Sequence, residues 1–341
     1  MAATSTAVAR PPARSLLRRF GLAAALVGGA LLWAYFFARN GDKTTAVLAS
    51  TVRLSTPLLL GALCGLIGER SGVVNIGIEG QMLTGAFIGF LVASSTGSLL
   101  AGVAGAVVAG MVIGTFLAWC AVTLELDQII AGTVVNILAV GFTTFLYRSG
   151  RTLPGGAFKP IRIPGLGSLP IVGKVVFQNP PITYAAVLLM VVLHVGLYRT
   201  RWGLRTRAVG EHPSAADTVG VDVGRLRYRN VTIAGGFAGL AGAFLSLESV
   251  GSFERSMTNG RGFVALAVMI FGRWTPLGAW AGALLFGLAN AMQNQLQLDG
   301  TLHIPPQFIG MLPYVLTIVV LAGLAGRSRA PAAAGRPYRK E

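Results

Sequence analysis

Asn75, Glu79 and Gln81 fall in the glycine-rich stretch SGVVNIGIEGQM, residues Ser71 to Met82, with long apolar runs on both sides. Two amides supply donors and acceptors, and the carboxylate can take hydrogen bonds from a sugar or a base. That chemistry holds a neutral polar solute without breaking a bond in it. At bilayer depth an irregular polar stretch persists only where protein or a water-filled cavity surrounds it. An ionisable residue there is a candidate functional site. Glu79 also has a plainer reading, as a cap at a helix start or as the partner of Arg70. Thr133 and Asn136 lie further along, and Asn290, Gln293 and Asn294 lie in the other half of the chain. Such side chains on membrane helices either bond helix to helix or line a path.

The elements that position these residues are membrane spans. The chain has 341 residues, 53% hydrophobic and 12% charged, with 46 glycines, a composition too apolar for a soluble domain. Hydrophobic runs predict spans at 20–38, 47–68, 82–95, 99–124, 129–147, 182–198, 230–249, 276–290 and 308–326. A further run, 263–272, is long enough for only half a crossing. Counted together these make an all-α membrane protein of about ten transmembrane helices. Residues 1–19 are a basic tail, 20–326 the transmembrane domain, and 327–341 a second basic tail. The net charge of +16 collects in the two tails and in 199–229. The positive-inside rule then puts both tails and 199–229 in the cytoplasm, and it speaks against nucleic acid as the reason for the charge. The basic loop 148–181 falls outside on this count.

Two features suggest an inverted internal repeat. The polar break at 71–82 and the half-length run 263–272 take comparable places in two oppositely oriented halves, a pattern that points to a midplane pathway between repeats. Gly61 and Gly65, Gly85 and Gly89, Gly110 and Gly114, Gly235 and Gly239, and Gly278 and Gly282 have the spacing that lets helix backbones approach closely.

Within the stretch 199–229, Pro213 breaks the chain after His212. Ser214 can N-cap a short helix, Ala215 to Val219, closed by Gly220. A short helix of small residues inside an arginine-rich loop suits docking into another protein; a plain charged loop is the alternative.

Catalytic signatures are missing. The chain has no phosphate-binding G-x-x-x-x-G-K-[ST], no G-x-S-x-G and no H-E-x-x-H. Cys64 and Cys120 sit in apolar runs and read as core residues, while His194, His212 and His303 are scattered. No enzyme is expected.

Four stretches, ERSGVVNIGIEGQM, IIAGTVVNILAVGF, RAVGEHPSAADTVGVDV and MTNGRGFVALAVMIFGRWTPLGA, together with the tail APAAAGRPYRK, resemble the permease subunits of bacterial ABC importers. The resemblance is to the ribose and branched-chain amino acid group, most closely its nucleoside branch, and covers about residues 47 to 340. It implies a second permease subunit, often a different chain, and two cytoplasmic ATP-binding cassette domains that hold ATP and Mg. It also implies an extracytoplasmic substrate-binding protein and a place in the bacterial cytoplasmic membrane. This chain would bind no cofactor itself. Gly210, Glu211, Ala215, Ala216 and Gly220 match the family's coupling helix, which seats in the ATPase. Asn75, Glu79, Gln81, Thr133 and Asn136 are then the expected pathway residues. Simple-sugar permeases share much of the pattern. A stand-alone secondary transporter is a further alternative, but it needs an ion site, and the membrane portion has few acids beyond Glu79 and Glu248.

Overall fold

The computed structural model describes residues 41–147, 152–299, 305–311 and 330–339. Contacts divide the chain into Met1–Ala46 and Val47–Glu341. Of the first unit only residues 41–46, a helix opening, are described, and the architecture is that of the second.

Apolar runs uninterrupted by acids become helices because, in lipid, a helix satisfies every backbone group within itself. They are α1 (Gly41–Arg70), α2 (Ile78–Thr96), α3 (Leu99–Ala118), α4 (Gln128–Leu146) and α6 (Pro181–Arg199), then α9 (Val223–Ala243), α10 (Arg261–Phe271) and α11 (Pro276–Asp299). Five are long and apolar enough to cross a membrane: α1, α3, α4, α6 and α9, where α3 and α9 include the turns that extend them. α3 widens into a π turn at Trp119–Thr123 and α9 into another at Phe244–Val250. The expected bounds hold to within a few residues, except that α1 starts at Gly41, α9 at Val223, and α11 runs on to Asp299. The expected span 20–38 lies outside the described residues. So does most of 308–326, of which the short α12 (Pro306–Gly310) holds the start.

Burial separates the inner helices from the outer ones. α9 is 83% buried over its most apolar window and α1 61%, against 22% for α3 and 28% for α4. Val108, Val112, Ile137, Leu138 and Phe145 point outward from α3 and α4, the surface a lipid-facing helix presents. Glycines set the spacing of the inner group. A methyl on Gly110 of α3 would overlap the carbonyl oxygen of Gly235 on α9, and one on Gly85 of α2 would lie 2.7 Å from the Cα of Gly239. Three backbones therefore meet with no side chain between them, the close approach expected of the small-xxx-small spacing.

Two regions expected as loops carry structure. Most of 199–229 is helical: α7 (Arg201–Glu211), α8 (Pro213–Thr218) and the first turns of α9. Ser214 is not the N-cap of the short helix, which starts one residue before it at Pro213; proline at the first position needs no N–H partner, and His212 takes the cap place. Asp222 instead accepts from the Arg225 N–H and caps α9. The segment 152–180 holds a two-residue antiparallel ribbon, β1 (Ile161–Arg162) with β2 (Gln178–Asn179), and a short helix α5 (Val172–Val176). Most of the described chain is thus helical, and this ribbon is the β structure among the described residues.

Candidate functional site

The break between α1 and α2 is built from its own polar side chains. Gly72, at φ +90°, turns the chain, and the amides of Ser71 and Val73 both return to the Gly68 carbonyl. Asn75 and Gln81 are fully buried and face each other: the Asn75 side-chain amide donates to Gln81 Oε1 at 3.0 Å and to Cys64 Sγ at 3.4 Å. Asn136 on α4 clasps the same turn, accepting from the Gly80 N–H at 2.8 Å and donating to the Ile76 carbonyl at 3.0 Å. Gln128 accepts from the Val74 N–H at 2.7 Å. Thr133 lies on the exposed face of α4, and its hydroxyl returns to the Ile129 carbonyl. Of the five expected pathway residues, then, Asn75, Gln81 and Asn136 brace the break and Thr133 faces outward.

Glu79 reaches across the molecule. Its two carboxylate oxygens accept from the backbone amides of Gly260 at 2.8 Å and Gly262 at 2.6 Å. It therefore caps a helix start, though not that of its own helix: the capped element is α10, nearly two hundred residues on. A carboxylate at a helix N-terminus meets both orphan N–H groups and the positive end of the dipole. Gly262 has to be glycine here, because a Cβ would lie 2.5 Å from the Glu79 amide nitrogen. Glu248, in the π turn at the end of α9, does the same for α6, accepting from the amides of Ile182 at 2.6 Å and Thr183 at 3.2 Å and from the Thr183 hydroxyl at 2.7 Å.

α10 is the half-length element. Eleven residues span about 16 Å, roughly half the hydrocarbon thickness. Left-handed residues bracket it, Ser256, Asn259 and Gly260 before and Arg273 and Trp274 after. At its far end Trp274 donates its indole N–H to Glu69 at 2.5 Å, and its carbonyl accepts from Arg70 at 2.9 Å. Both ends of α10 are thereby tied to the two ends of the first break: Glu69 and Arg70 before it, Glu79 after it.

A cavity of about 250 Å³ opens beside the capped end of α10. It is lined by Leu54 and Leu58 of α1, Asn259 and Arg261 at the α10 start, and Phe286, Asn290, Gln293 and Asn294 of α11. The α11 residues recur at i, i+4, i+7, i+8 and so form one stripe, an aromatic ring below three amides. Three amides and a guanidinium can hydrogen-bond a neutral polar ring compound, while the Phe286 ring is 2% exposed and stacks on Phe271. Arg261 is oriented by donating to the Met257 carbonyl at 2.7 Å. Asn290, Gln293 and Asn294 are legible in the sequence as polar residues on a membrane helix, and their stripe spacing is the signal that sets them apart. Asn259 and Arg261 carry no such signal; only the fold brings them to the stripe.

At the other end of the molecule, α7 and α8 form a hairpin. Gly210 is buried where a side chain would overlap the Arg70 carbonyl. Glu211 ends α7 and accepts from the Ala332 amide at 3.2 Å. Ala216 points inward, onto Val209 and Val223. Ala215 is exposed, and Val219 is 77% exposed just before Gly220, whose φ of +83° turns the chain out of the hairpin.

Residues 47–321 match the family described as branched-chain amino acid transport system / permease component. The chain is 39% identical to the guanosine ABC transporter permease NupQ of Bacillus subtilis, over 86% of this chain and 96% of that one. It is 35% identical, with the same coverage, to the nucleoside ABC transporter permease NupC of Lactococcus lactis. It is also 39% identical to TsgC13 of Haloferax volcanii, a permease provisionally assigned to glucose, over 81% of this chain and 90% of that one.

Proposed function

The chain belongs to the permease component family of branched-chain amino acid transport systems, and on that premise we propose that it is the membrane-spanning subunit of an ATP-driven importer that carries nucleosides inward. It is a multi-pass membrane protein, a transporter component and not an enzyme. The observation that carries the substrate reading is the amide-lined cavity beside α10. A nucleoside is neutral and polar, and the amides of Asn290, Gln293 and Asn294 with the Arg261 guanidinium offer donors and acceptors to its hydroxyls and base edges. The names of NupQ and NupC support the same solute class.

The importer needs partners. A second permease, of a different sequence, would pair with this chain in the bacterial cytoplasmic membrane. Two ATP-binding cassette domains, holding ATP and Mg, would bind the cytoplasmic hairpin, and an extracytoplasmic binding protein would deliver solute. Both tails would be cytoplasmic. We read about ten crossings with an inverted repeat; the half-length α10, tied at both ends to the first break, supports that reading.

Asn75, Gln81 and Asn136 keep a place in this proposal as the frame of the pathway, Thr133, which faces outward, does not, and Glu79 is the group that holds the α10 start beside the solute. Closure of the ATPase pair would press on Ala215 and Val219. Movement of the hairpin would reach the end of α1 through the Gly210–Arg70 contact, and then α10 through Glu69, Arg70 and Glu79. Each access state is favoured by what binds it better. A sugar-importing reading draws support from TsgC13, because the amides that meet a ribose would also meet a hexose. A secondary transporter is disfavoured: Glu79 and Glu248 both cap helices.

The test is uptake of radiolabelled nucleosides, ribose and glucose into proteoliposomes that hold this chain with its partner permease, ATPase and binding protein. Nucleoside uptake that vanishes without the ATPase is the expected result. Hexose or ribose uptake alone would overturn the substrate class. Uptake by this chain alone, driven by an ion gradient, would overturn the importer reading.

A further inference from the structure

We propose that the segment 330–339 is a strap that fastens the α7–α8 hairpin to the Ser71–Gly77 break, so that the two move as one body. Its backbone bonds to both. The Ala333 amide donates to the Gly210 carbonyl at 2.9 Å, and the Gly335 amide donates to the Gly72 carbonyl at 3.2 Å. The Ala332 amide reaches Glu211 at 3.2 Å. Two residues of chain thus join the end of α7 to the turn that opens the break. Tyr338 then closes over the hairpin. Its ring packs on the small core of Val209, Ala216 and Val223, and its hydroxyl donates to Asp217 Oδ2 at 3.1 Å. Arg339 bonds Glu125, beyond the end of α3, at 2.6 Å.

Arg227 is the pin beneath the strap. It is 1% exposed and has no ion-pair partner among the described residues. Its guanidinium donates Nε to the Ser71 carbonyl and Nη1 to the Arg336 carbonyl, each at 3.1 Å. A buried cation without a counter-ion is costly and depends on every acceptor around it. Here the acceptors come from the break on one side and the strap on the other, so Arg227 keeps both its Nε and its Nη1 bond only when both are in place. Gly72 makes room for it: a Cβ there would lie 2.6 Å from Nη2.

The hairpin needs such a fastening. α8 has six residues and buries only Ala216, too little to stay rigid under load. Without Tyr338 its apolar underside opens, and a push on Val219 deforms α8 before it moves the break.

The inference rests on the hairpin being the ATPase-docking element. The experiment compares the assembled transporter with a variant lacking 330–341 and with Val219→Arg. It measures amide hydrogen exchange, ATP hydrolysis and nucleoside uptake. Deletion is expected to speed exchange about tenfold in both 207–218 and 71–77, since each loses bonds donated by or shared with the strap. ATP hydrolysis persists while uptake per ATP falls about tenfold. Unchanged exchange in either segment, or unchanged uptake per ATP, overturns the strap. Should the deletion fail to assemble, Tyr338→Phe and Arg227→Lys carry the same expectation at roughly threefold. Val219→Arg judges the docking reading by itself: normal uptake there refutes that reading, whereas the exchange result decides the strap.

Discussion

Glu79 shows how one side chain can serve a site without entering it. Its carboxylate caps α10, and the next residues of that helix start, Asn259 and Arg261, line the cavity. Glu79→Gln replaces one acceptor by a donor that faces an N–H. We expect a loss of about 1–3 kcal/mol, read as a lower thermal midpoint of the solubilised chain, with weaker uptake alongside. Asn290→Ala and Asn294→Ala remove groups that face the cavity itself. Each should raise the nucleoside concentration for half-maximal uptake about tenfold, with the thermal midpoint nearly unchanged. A midpoint that falls as far as that of Glu79→Gln would instead make these amides packing groups. The Asn75–Gln81 pair belongs with Glu79, since both amides are fully buried and bond each other.

Among the elements, the glycine contacts between α2, α3 and α9 make the sharpest claims. Gly110→Ala drives a methyl into the Gly235 carbonyl, and the two backbones can separate only by disturbing Gly239 as well. The expected cost is about 1–3 kcal/mol, measured by unfolding in detergent. Gly141 on α4 is the control. Nothing lies within 4 Å of a Cβ placed there, so Gly141→Ala should stabilise by about 0.5–1 kcal/mol through helix propensity. A destabilised Gly141→Ala would mean that α4 packs against something at that face. The GxxxG spacing reveals that close contacts exist; it does not tell which helix meets which. In the pair Gly85–Gly89 the first glycine meets α9 and the second α3, whereas Gly110 and Gly114 both meet α9.

For the whole molecule the central claim is orientation. α6 separates the ribbon segment 152–180 from the hairpin α7–α8 by one crossing of nineteen residues. Cysteines placed at exposed Leu169 and exposed Val219 should react with a membrane-impermeant maleimide from opposite sides, Leu169→Cys from outside and Val219→Cys from the cytoplasm. The native Cys64 and Cys120 are buried and should leave a quiet background. Labelling of both from one side would undo the topology, and with it the docking role of the hairpin.

Short-range physics is legible in the order of residues alone. Apolar run length placed five of the eight described helices within a few residues and missed the ends of α1, α9 and α11 by six to nine, because in lipid a run of that length has no other way to satisfy its backbone. Asn75, Glu79 and Gln81 stood out as costly groups at depth, and the hairpin stood out by Pro213 and Gly220. Charge repetition set 199–229 apart, yet it hid the helices there, since arginine is as good a helix former as it is a loop residue. What each polar group does emerged from long-range contacts. Glu79 meets Gly260 and Gly262, Trp274 meets Glu69, and Arg227 meets Ser71 and Arg336, all across more than a hundred residues of chain. No local pattern records such a partner, because a carboxylate or guanidinium is equally suited to a solute, a helix end or a carbonyl until the fold brings one of them within about 3 Å.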